Sequence, residues 1–455
     1  MGMKRDAWLI GRCLVALMCV ACVRFTVAAA ERPNVILILA DDLAIGDLSI
    51  FNKGLSRTPR LDRMVGESVY FERAYSGSPV CAPSRAALLT GRYPHRTGSV
   101  TLNQIKFPNL TRLRLDEITI ASRFRAGGYR TGLVGKWHSG PGAEYHPLKR
   151  GFDEYVGFND STDIRTYFDY RLDIQGEYRE FEGPYLTDVL TKRALDFVRR
   201  HRGEPFFLHL AHYAPHRPLS APEELIKRYV EEGLSEQTAT VYAMIEVMDR
   251  GVGELVDLLE ELELARRTLV IFASDNGPDP LVGERFNMSN RGTKYMVNEG
   301  GIHVPLLVRW KGRIQPEQRD EIIHFTDVAP TLMEVCGLER EDAPAFDGGS
   351  FAGLLSAEWS APMLPLLRYW QWNRKTPLYS HNAAVREGDW KLVRPYVTRG
   401  IPKSESMAPP RLYNLRDDPR ETNDLALREP SLSERLTSAL EAWAVEVERD
   451  RTRPR

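Results

Sequence analysis

The chain has 455 residues, 43% of them hydrophobic and 27% charged, with 61 Lys+Arg against 62 Asp+Glu and a net charge of −1. That composition can bury a core and excludes disordered, collagenous and low-complexity classes. The balanced charge offers no overall basic field for nucleic acid or an anionic membrane, so any polyanion must be met by a local cluster.

Lys4, Arg5 and Arg12 precede an apolar run at 13–23, and Ala28-Ala29-Ala30 follows it. This order matches an export signal, residues 1–30, cleaved after Ala30, and implies a periplasmic or secreted protein. The apolar run is short of the ~20 residues of a bilayer span and no later segment is apolar enough, so no stable membrane span is expected. A lipid anchor at Cys22 is the alternative use of this segment. Its removal takes four basic residues and one acidic one, leaving a net charge of −4. Cys13, Cys19 and Cys22 leave with it, so only Cys81 and Cys336 remain. A disulfide framework is then excluded, which favours a bacterial periplasm.

Short apolar, β-branched runs at 35–39, 131–134, 206–210, 269–272 and 306–308 read as strands buried on both faces. Helical patterns occupy 59–66, 84–90, 115–126, 187–200 and 237–262. Their alternation predicts an α/β fold with a central, mostly parallel sheet flanked by helices over residues 31–360. From residue 361 the pattern changes. A hairpin at 383–393, a strand at 412–414 and a helix at 431–448 predict a small C-terminal domain with an antiparallel sheet, residues 361–455. Trp370 and Trp372, two apart before Arg374, would share one face of a strand, either as a platform for a sugar ring or as packing between the two parts.

The ends of four strands carry the polar residues. Asp41-Asp42 follows the first, Lys136-Trp137-His138 the second, His212 and His216 the third, and Asp275-Asn276 the fourth. Open α/β sheets bind ligands at the carboxyl ends of their strands. A lone Asp after a strand is commonly a cap or turn residue, but four such ends together argue for a site. Asp41, Asp42, Asp275 and Asn276 are oxygen donors, suited to calcium or magnesium rather than zinc. Cys81, with Pro83 two residues on, falls just ahead of a helix N-terminus, where free amides favour an anion, and is a candidate nucleophilic centre. Cys336 reads as a buried thiol.

Together these blocks resemble the formylglycine-dependent type I sulfatases of the alkaline phosphatase-like superfamily, from about Arg32 to Ala426. The resemblance rests on Cys81-Ala82-Pro83-Ser84-Arg85 with Leu89-Thr90-Gly91-Arg92, Asp41-Asp42-Leu43 with Gly46-Asp47, Gly135-Lys136-Trp137-His138 and Gly151-Phe152-Asp153. It also includes Ala214-Pro215-His216, Ser274-Asp275-Asn276-Gly277, Arg291-Gly292-Thr293-Lys294 with Glu299-Gly300-Gly301, and Gly388-Asp389-Trp390-Lys391-Leu392. It implies that a formylglycine-generating enzyme converts Cys81 to formylglycine, whose hydrate attacks the sulfate ester. It implies Asp41, Asp42, Asp275 and Asn276, with the residue 81 diol, as ligands of Ca2+, with Mg2+ possible. Arg85 would hold the diol, Lys136 and Lys294 would neutralise the sulfuryl oxygens, His138 would take a proton and His216 would protonate the leaving alcohol.

The function implied is sulfuric ester hydrolysis on a sulfated carbohydrate or an aryl sulfate. Two alternatives are a phosphate or phosphonate ester hydrolase of the same superfamily and a non-catalytic binder of sulfated glycans. Ile45 and His303 depart from the family's usual residues and would reshape the pocket. Arg92, His95, Arg96, Lys149, Arg150, Arg165 and Arg217 lie near motif loops, either to receive a polyanionic sugar or as a solvated face.

Overall fold

A computed structural model of the chain describes residues 32–102, 106–282, 285–338, 344–373, 379, 381–396 and 409–453. Residues 1–30, read from the sequence as an export signal, and Arg374 lie outside the described residues. Among these residues no helix is long and apolar enough to cross a membrane.

Eleven strands form the large sheet: β1 (Asn34–Ala40), β2 (Val69–Tyr75), β3 (Arg130–Lys136), β4 (Glu154–Phe158), β5 (Ile164–Thr166), β6 (Asp169–Ile174), β7 (Glu177–Glu182), β8 (Phe206–Ala211), β9 (Thr268–Ser274), β10 (Leu306–Arg309) and β11 (Glu317–His324). Their order is β11-β2-β10-β9-β1-β8-β3-β4-β6-β5, with β7 paired to β6. All of β1 is buried, and it runs parallel to β8 on one side and β9 on the other. Alternate side chains of β1 feed two different cores, as the two-residue repeat of a strand requires. Ile36 and Ile38 pack in one with the helices Leu186–His201 and Glu236–Glu261; Val35, Leu37 and Leu39 pack in the other with Cys81–Thr90, Ile120–Ala126 and Val328–Cys336.

The central strands follow the apolar runs, but β10 runs antiparallel to both β9 and β2, so the sheet is mixed. Strands β2, β4 to β7 and β11 carry no comparable apolar run. The β6–β7 hairpin in particular is largely charged, because it lies at the sheet's periphery, where water covers one face. The helix expected from 115 starts at Ile120, since the Thr119 hydroxyl accepts the Ser122 N–H at 3.0 Å and caps it there.

The second sheet holds β12 (Leu367–Gln371), β13 (Ala383–Glu387), β14 (Trp390–Arg394) and β15 (Arg411–Asn414), all antiparallel, in chain order. The helix Pro430–Thr452 lays Leu436, Leu440, Trp443 and Val447 against it. Residues Pro33–Arg455 form one compact unit containing both sheets. Trp370 is 1% exposed, meets Tyr75 edge-on at 5.5 Å and donates its indole N–H to the Ser76 carbonyl at 2.8 Å. Trp372 is fully buried against Val80 and Tyr295. Trp370 therefore packs the sheets together, Trp372 packs just past the end of β12, and neither offers a sugar platform.

Candidate active site

The chain leaves β1 straight into a strained turn. Asp42 has φ 65°, a left-handed conformation uncommon for a residue other than glycine. It is fixed from two sides: the Asp42 N–H donates to Asp275 Oδ1 at 3.3 Å, and the Leu43 N–H donates to the Ser274 hydroxyl at 3.0 Å. Ala40 and Ser274 are register partners, so Asp41-Asp42 and Asp275-Asn276 emerge side by side. At the end of β3, Gly135 has φ 108°, and a Cβ there would lie 1.9 Å from the Ala211 carbonyl oxygen. Only glycine lets β3 close on β8 just before Lys136. His138 is again left-handed, at φ 52°, held by its N–H on the Asn159 carbonyl at 2.7 Å. Backbone strain of about 1–3 kcal/mol at each such residue persists only where surrounding contacts fix it, and it concentrates at functional sites.

The helix Cys81–Thr90 begins at Cys81 itself, with Pro83 in the first turn, where its missing N–H costs nothing. The Cys81 Sγ lies 3.4 Å from Asp41 Oδ1. Arg85, one turn on, donates through Nε to Asp275 Oδ2 at 2.8 Å, through Nη2 to Asp41 Oδ2 at 3.1 Å and through Nη1 to the Lys136 carbonyl at 3.1 Å. Lys136 Nζ reaches Asp41 Oδ2 at 2.5 Å, and Lys294 Nζ reaches Asp42 at 2.6 Å. Asn276 donates to Asp42 Oδ1 at 2.7 Å, while its own Oδ1 is buried without a hydrogen-bond partner. His216 places Nε2 3.7 Å from Asp42 Oδ2 and pairs Nδ1 with the Arg217 carbonyl at 2.6 Å. Tyr213 stacks on the His216 ring at 4.7 Å.

Three carboxylates thus face three permanent cations with almost no solvent between them: Arg85, Lys136 and Lys294 are each at most 2% exposed. Burial disfavours the Asp41 carboxylate, but Lys136, His216 and Arg85 outweigh that and hold it well below the usual carboxylate range. Burial and the neighbouring Asp41 charge push Asp275 up to about 6. Burial, reinforced by Lys136 and Arg85, drives His138 far down, and burial with Lys294 lowers His216 to about 4, so both rings are neutral at pH 7. Burial and Asp41 also raise the Cys81 thiol well above its ordinary value. The helix N-terminus expected to favour a thiolate is overruled by a carboxylate at contact distance.

Ligand atoms of Asp41, Asp42, Cys81 and His216 all lie within 4.8 Å of one another. With the orphaned Asn276 oxygen beside Asp42, this fits a hard divalent cation, whose oxygen shell would satisfy the unpaired acceptor. The cluster is electrically neutral by itself, so a bound dication leaves it with surplus positive charge, a setting for an anionic ligand.

Other polar residues have structural partners. Among the basic residues near the motifs, Arg92 pairs with Glu117 and Asp450, Arg96 with Asp347, Arg165 with Asp169 and Arg217 with Asp279, and Arg150 caps the Arg114 and Glu117 carbonyls. His212 is fully buried, away from the cluster's charges. Ile45 lies in the core, and His303 stacks on Tyr75 and binds the Glu72 carbonyl, so neither reshapes the site. Cys336 is a buried free thiol. Two contributors were not read from the sequence. Tyr213 fixes His216, and Arg285 donates to the Asp42 carbonyl at 3.0 Å while pairing with Asp47 at 3.1 Å. Asp47 stood in a motif block, but Arg285 follows no strand and belongs to no apolar period, so no local signal marks it.

Residues 33–338 match the sulfatase family, and residues 292–446 match the family described as N-sulphoglucosamine sulphohydrolase, C-terminal. The chain belongs to the sulfatase family. It is 33% identical over 348 residues to the N-acetylgalactosamine-6-sulfatase of Sus scrofa, covering 70% of this chain and 65% of that one. The arylsulfatase A of Bos taurus is 31% identical over 463 residues, covering 91% of this chain and 87% of that protein. Among solved structures, Ps i-CgsB superposes with a TM-score of 0.77 at 29% identity over 91% of this chain and 93% of its own, and has also been solved in complex with k-i-k-neocarrahexaose. Of the motif segments read from the sequence, those carrying Asp41-Asp42, Cys81, Arg85, Lys136, His216, Asp275-Asn276 and Lys294 meet around Cys81.

Proposed function

We propose that this sulfatase-family protein is an exported hydrolase of sulfate esters on carbohydrates, matured by conversion of Cys81 to formylglycine. The observation that carries the reading is the neutral cage of Asp41, Asp42, Asp275, Arg85, Lys136 and Lys294 built around a buried side chain at position 81. A thiol held protonated by burial and the Asp41 charge is a poor nucleophile, which favours chemistry by a modified residue there. Formylglycine at position 81, once hydrated, would supply the nucleophilic hydroxyl for the sulfate ester and a second hydroxyl for the release of sulfate. Asp41, Asp42, Asp275 and Asn276 would hold the cation, calcium by preference for an irregular all-oxygen set, with magnesium the alternative. When bound, it supplies Lewis acidity to the diol and the ester oxygens.

The rest is the work of this chain's side chains. Arg85 already spans Asp41 and Asp275 beside position 81, and its planar fork orients oxygens there. Lys136 and Lys294 flank the same position, so charge growing on the sulfuryl oxygens meets two fixed cations. His138, neutral and with Nδ1 lacking a partner, accepts the diol proton. The Nδ1 of His216 is engaged by the Arg217 carbonyl, which leaves Nε2 to face the site. An anionic ester bound there raises its proton affinity, making it the donor to the departing alcohol.

The basic, apolar and Ala-rich leader supports export to the periplasm or beyond, and maturation requires a formylglycine-generating enzyme as partner. The test co-expresses the chain with such an enzyme, measures the mass of the peptide carrying residue 81, and assays an aryl sulfate, N-acetylgalactosamine 6-sulfate and phenyl phosphate. Aldehyde mass with turnover of the sulfates supports the reading. A fully modified, calcium-loaded protein that leaves the sulfates intact, or prefers phenyl phosphate, overturns it.

A further inference from the structure

Beyond the cage, a cavity with a volume of about 790 Å3 opens where β3 and β4 end. Trp137, Gly140 and Asn159 line it. These residues flank His138, whose N–H is bonded to the Asn159 carbonyl. The cavity therefore reaches Trp137, next to His138 in the chain, and Asn159, whose carbonyl holds the His138 N–H. Its volume falls inside the range of small-molecule pockets, about 300–1,000 Å3.

Its walls combine two kinds of surface. Tyr155 and Trp137 are buried behind it, and Tyr178 stands 55% exposed at its edge, steadied by the Arg171 guanidinium 4.4 Å from its ring centroid. Asp163 and Asp173 supply carboxylates only 5% exposed, the first paired with Arg171 and the second with His146 at 2.9 Å. The exposed Tyr178 ring beside rigid, already oriented carboxylates suits a pyranose ring, whose C–H face packs on the aromatic and whose hydroxyls donate to the acids. The charge differs in kind from that of the cage. Asp160, Asp163 and Asp173 outnumber Arg171 and Lys149, so a second sulfate would meet net repulsion here.

We infer that this cavity is a subsite for an unsulfated sugar unit adjoining the sulfated one, making the protein selective for oligosaccharide over monosaccharide or aryl sulfates. The inference rests on the sulfated-carbohydrate reading above and narrows it. The anionic unit enters the neutral cage with its cation, and the uncharged unit enters the acidic, aromatic cavity beside it.

The test uses the matured, calcium-loaded full chain with three probes: an aryl sulfate, N-acetylgalactosamine 6-sulfate, and sulfated oligosaccharides, both neocarrahexaose and a chondroitin 6-sulfate tetrasaccharide. The expected result is a kcat/KM at least tenfold higher on one oligosaccharide than on the small probes. Tyr178→Ala, at an exposed position, and Asp163→Asn should each erase most of that gain through KM while leaving aryl sulfate turnover unchanged. Wild type with no preference for either oligosaccharide overturns the subsite while the sulfatase reading stands on the aryl sulfate. A preference that survives both substitutions also overturns it. Absence of turnover on every probe instead defeats the sulfatase reading itself.

Discussion

Replacing Lys136 with Met separates the two duties of its charge. Lys136 Nζ sits 2.5 Å from Asp41 Oδ2 and its side chain is 1% exposed. The substitution keeps the length of the chain but leaves Asp41 with Arg85, at 3.1 Å, as its remaining direct cation. Breaking one arm of a buried pair costs about 3–5 kcal/mol, and the surviving arginine puts the expectation near the lower value. At an unfolding entropy of about 0.9 kcal/mol/K for a unit of this length, that is a fall of about 3 °C in Tm. A dication held by Asp41 would replace the missing charge, so the Tm deficit measured in chelator should shrink in excess calcium. Turnover should not recover. Loss of one preorganised cation aimed at the transition state costs about 10²–10³ in kcat. The assay is differential scanning fluorimetry of wild type and Lys136→Met with and without calcium, beside aryl sulfate kinetics on matured protein. A deficit of equal size in both conditions would show that Asp41 does not hold the cation, and a kcat within tenfold of wild type would remove Lys136 from the chemistry.

Other outcomes follow from the same geometry. Cys81→Ala should fold and retain calcium binding yet lose turnover entirely, because the core is untouched and the nucleophile is gone; residual hydrolysis on any scale above the uncatalysed rate would sink the covalent route. Calcium affinity should be flat above about pH 7 and weaken about tenfold by pH 5, because Asp275, raised to about 6 by burial and Asp41, must lose its proton before it can bind a cation. Isothermal titration at pH 7.5 and 5 checks this, and an unchanged Kd contradicts it. Trp372→Ala should destabilise the protein by about 3–5 kcal/mol and lower turnover of aryl and sugar sulfates alike, since the indole is wholly buried between Val80 and Tyr295. Selective loss on sugar sulfates would return the tryptophan to the substrate.

Sequence alone determined which strands would form the centre of the sheet and which residues would lie at their ends. The runs that became β1, β8 and β9 are apolar on both faces because both faces are covered, and that double burial is visible in one dimension. Asp41, Lys136 and Asp275 were legible for the same reason: Asp41 and Asp275 directly follow strands and Lys136 ends one, and the apolar runs of those strands were already marked. The peripheral β6–β7 hairpin was not legible, because edge strands need only half a hydrophobic face and solvent supplies the rest. Nor could the pattern decide what Trp370 and Trp372 face. Alternation put them on one face of a strand, but Trp372 falls just past β12, and only the packing around each made its surroundings an interior. Three further features were also settled by tertiary structure alone. Arg285 meets the Asp42 carbonyl across more than 240 residues of chain, Asp41 overrides the helix that would have favoured a thiolate at Cys81, and β4, β6 and β7 converge to wall the cavity beside His138. Each depends on distances between segments far apart in the chain, and electrostatic coupling and cavity shape are functions of those distances, which local propensity does not encode.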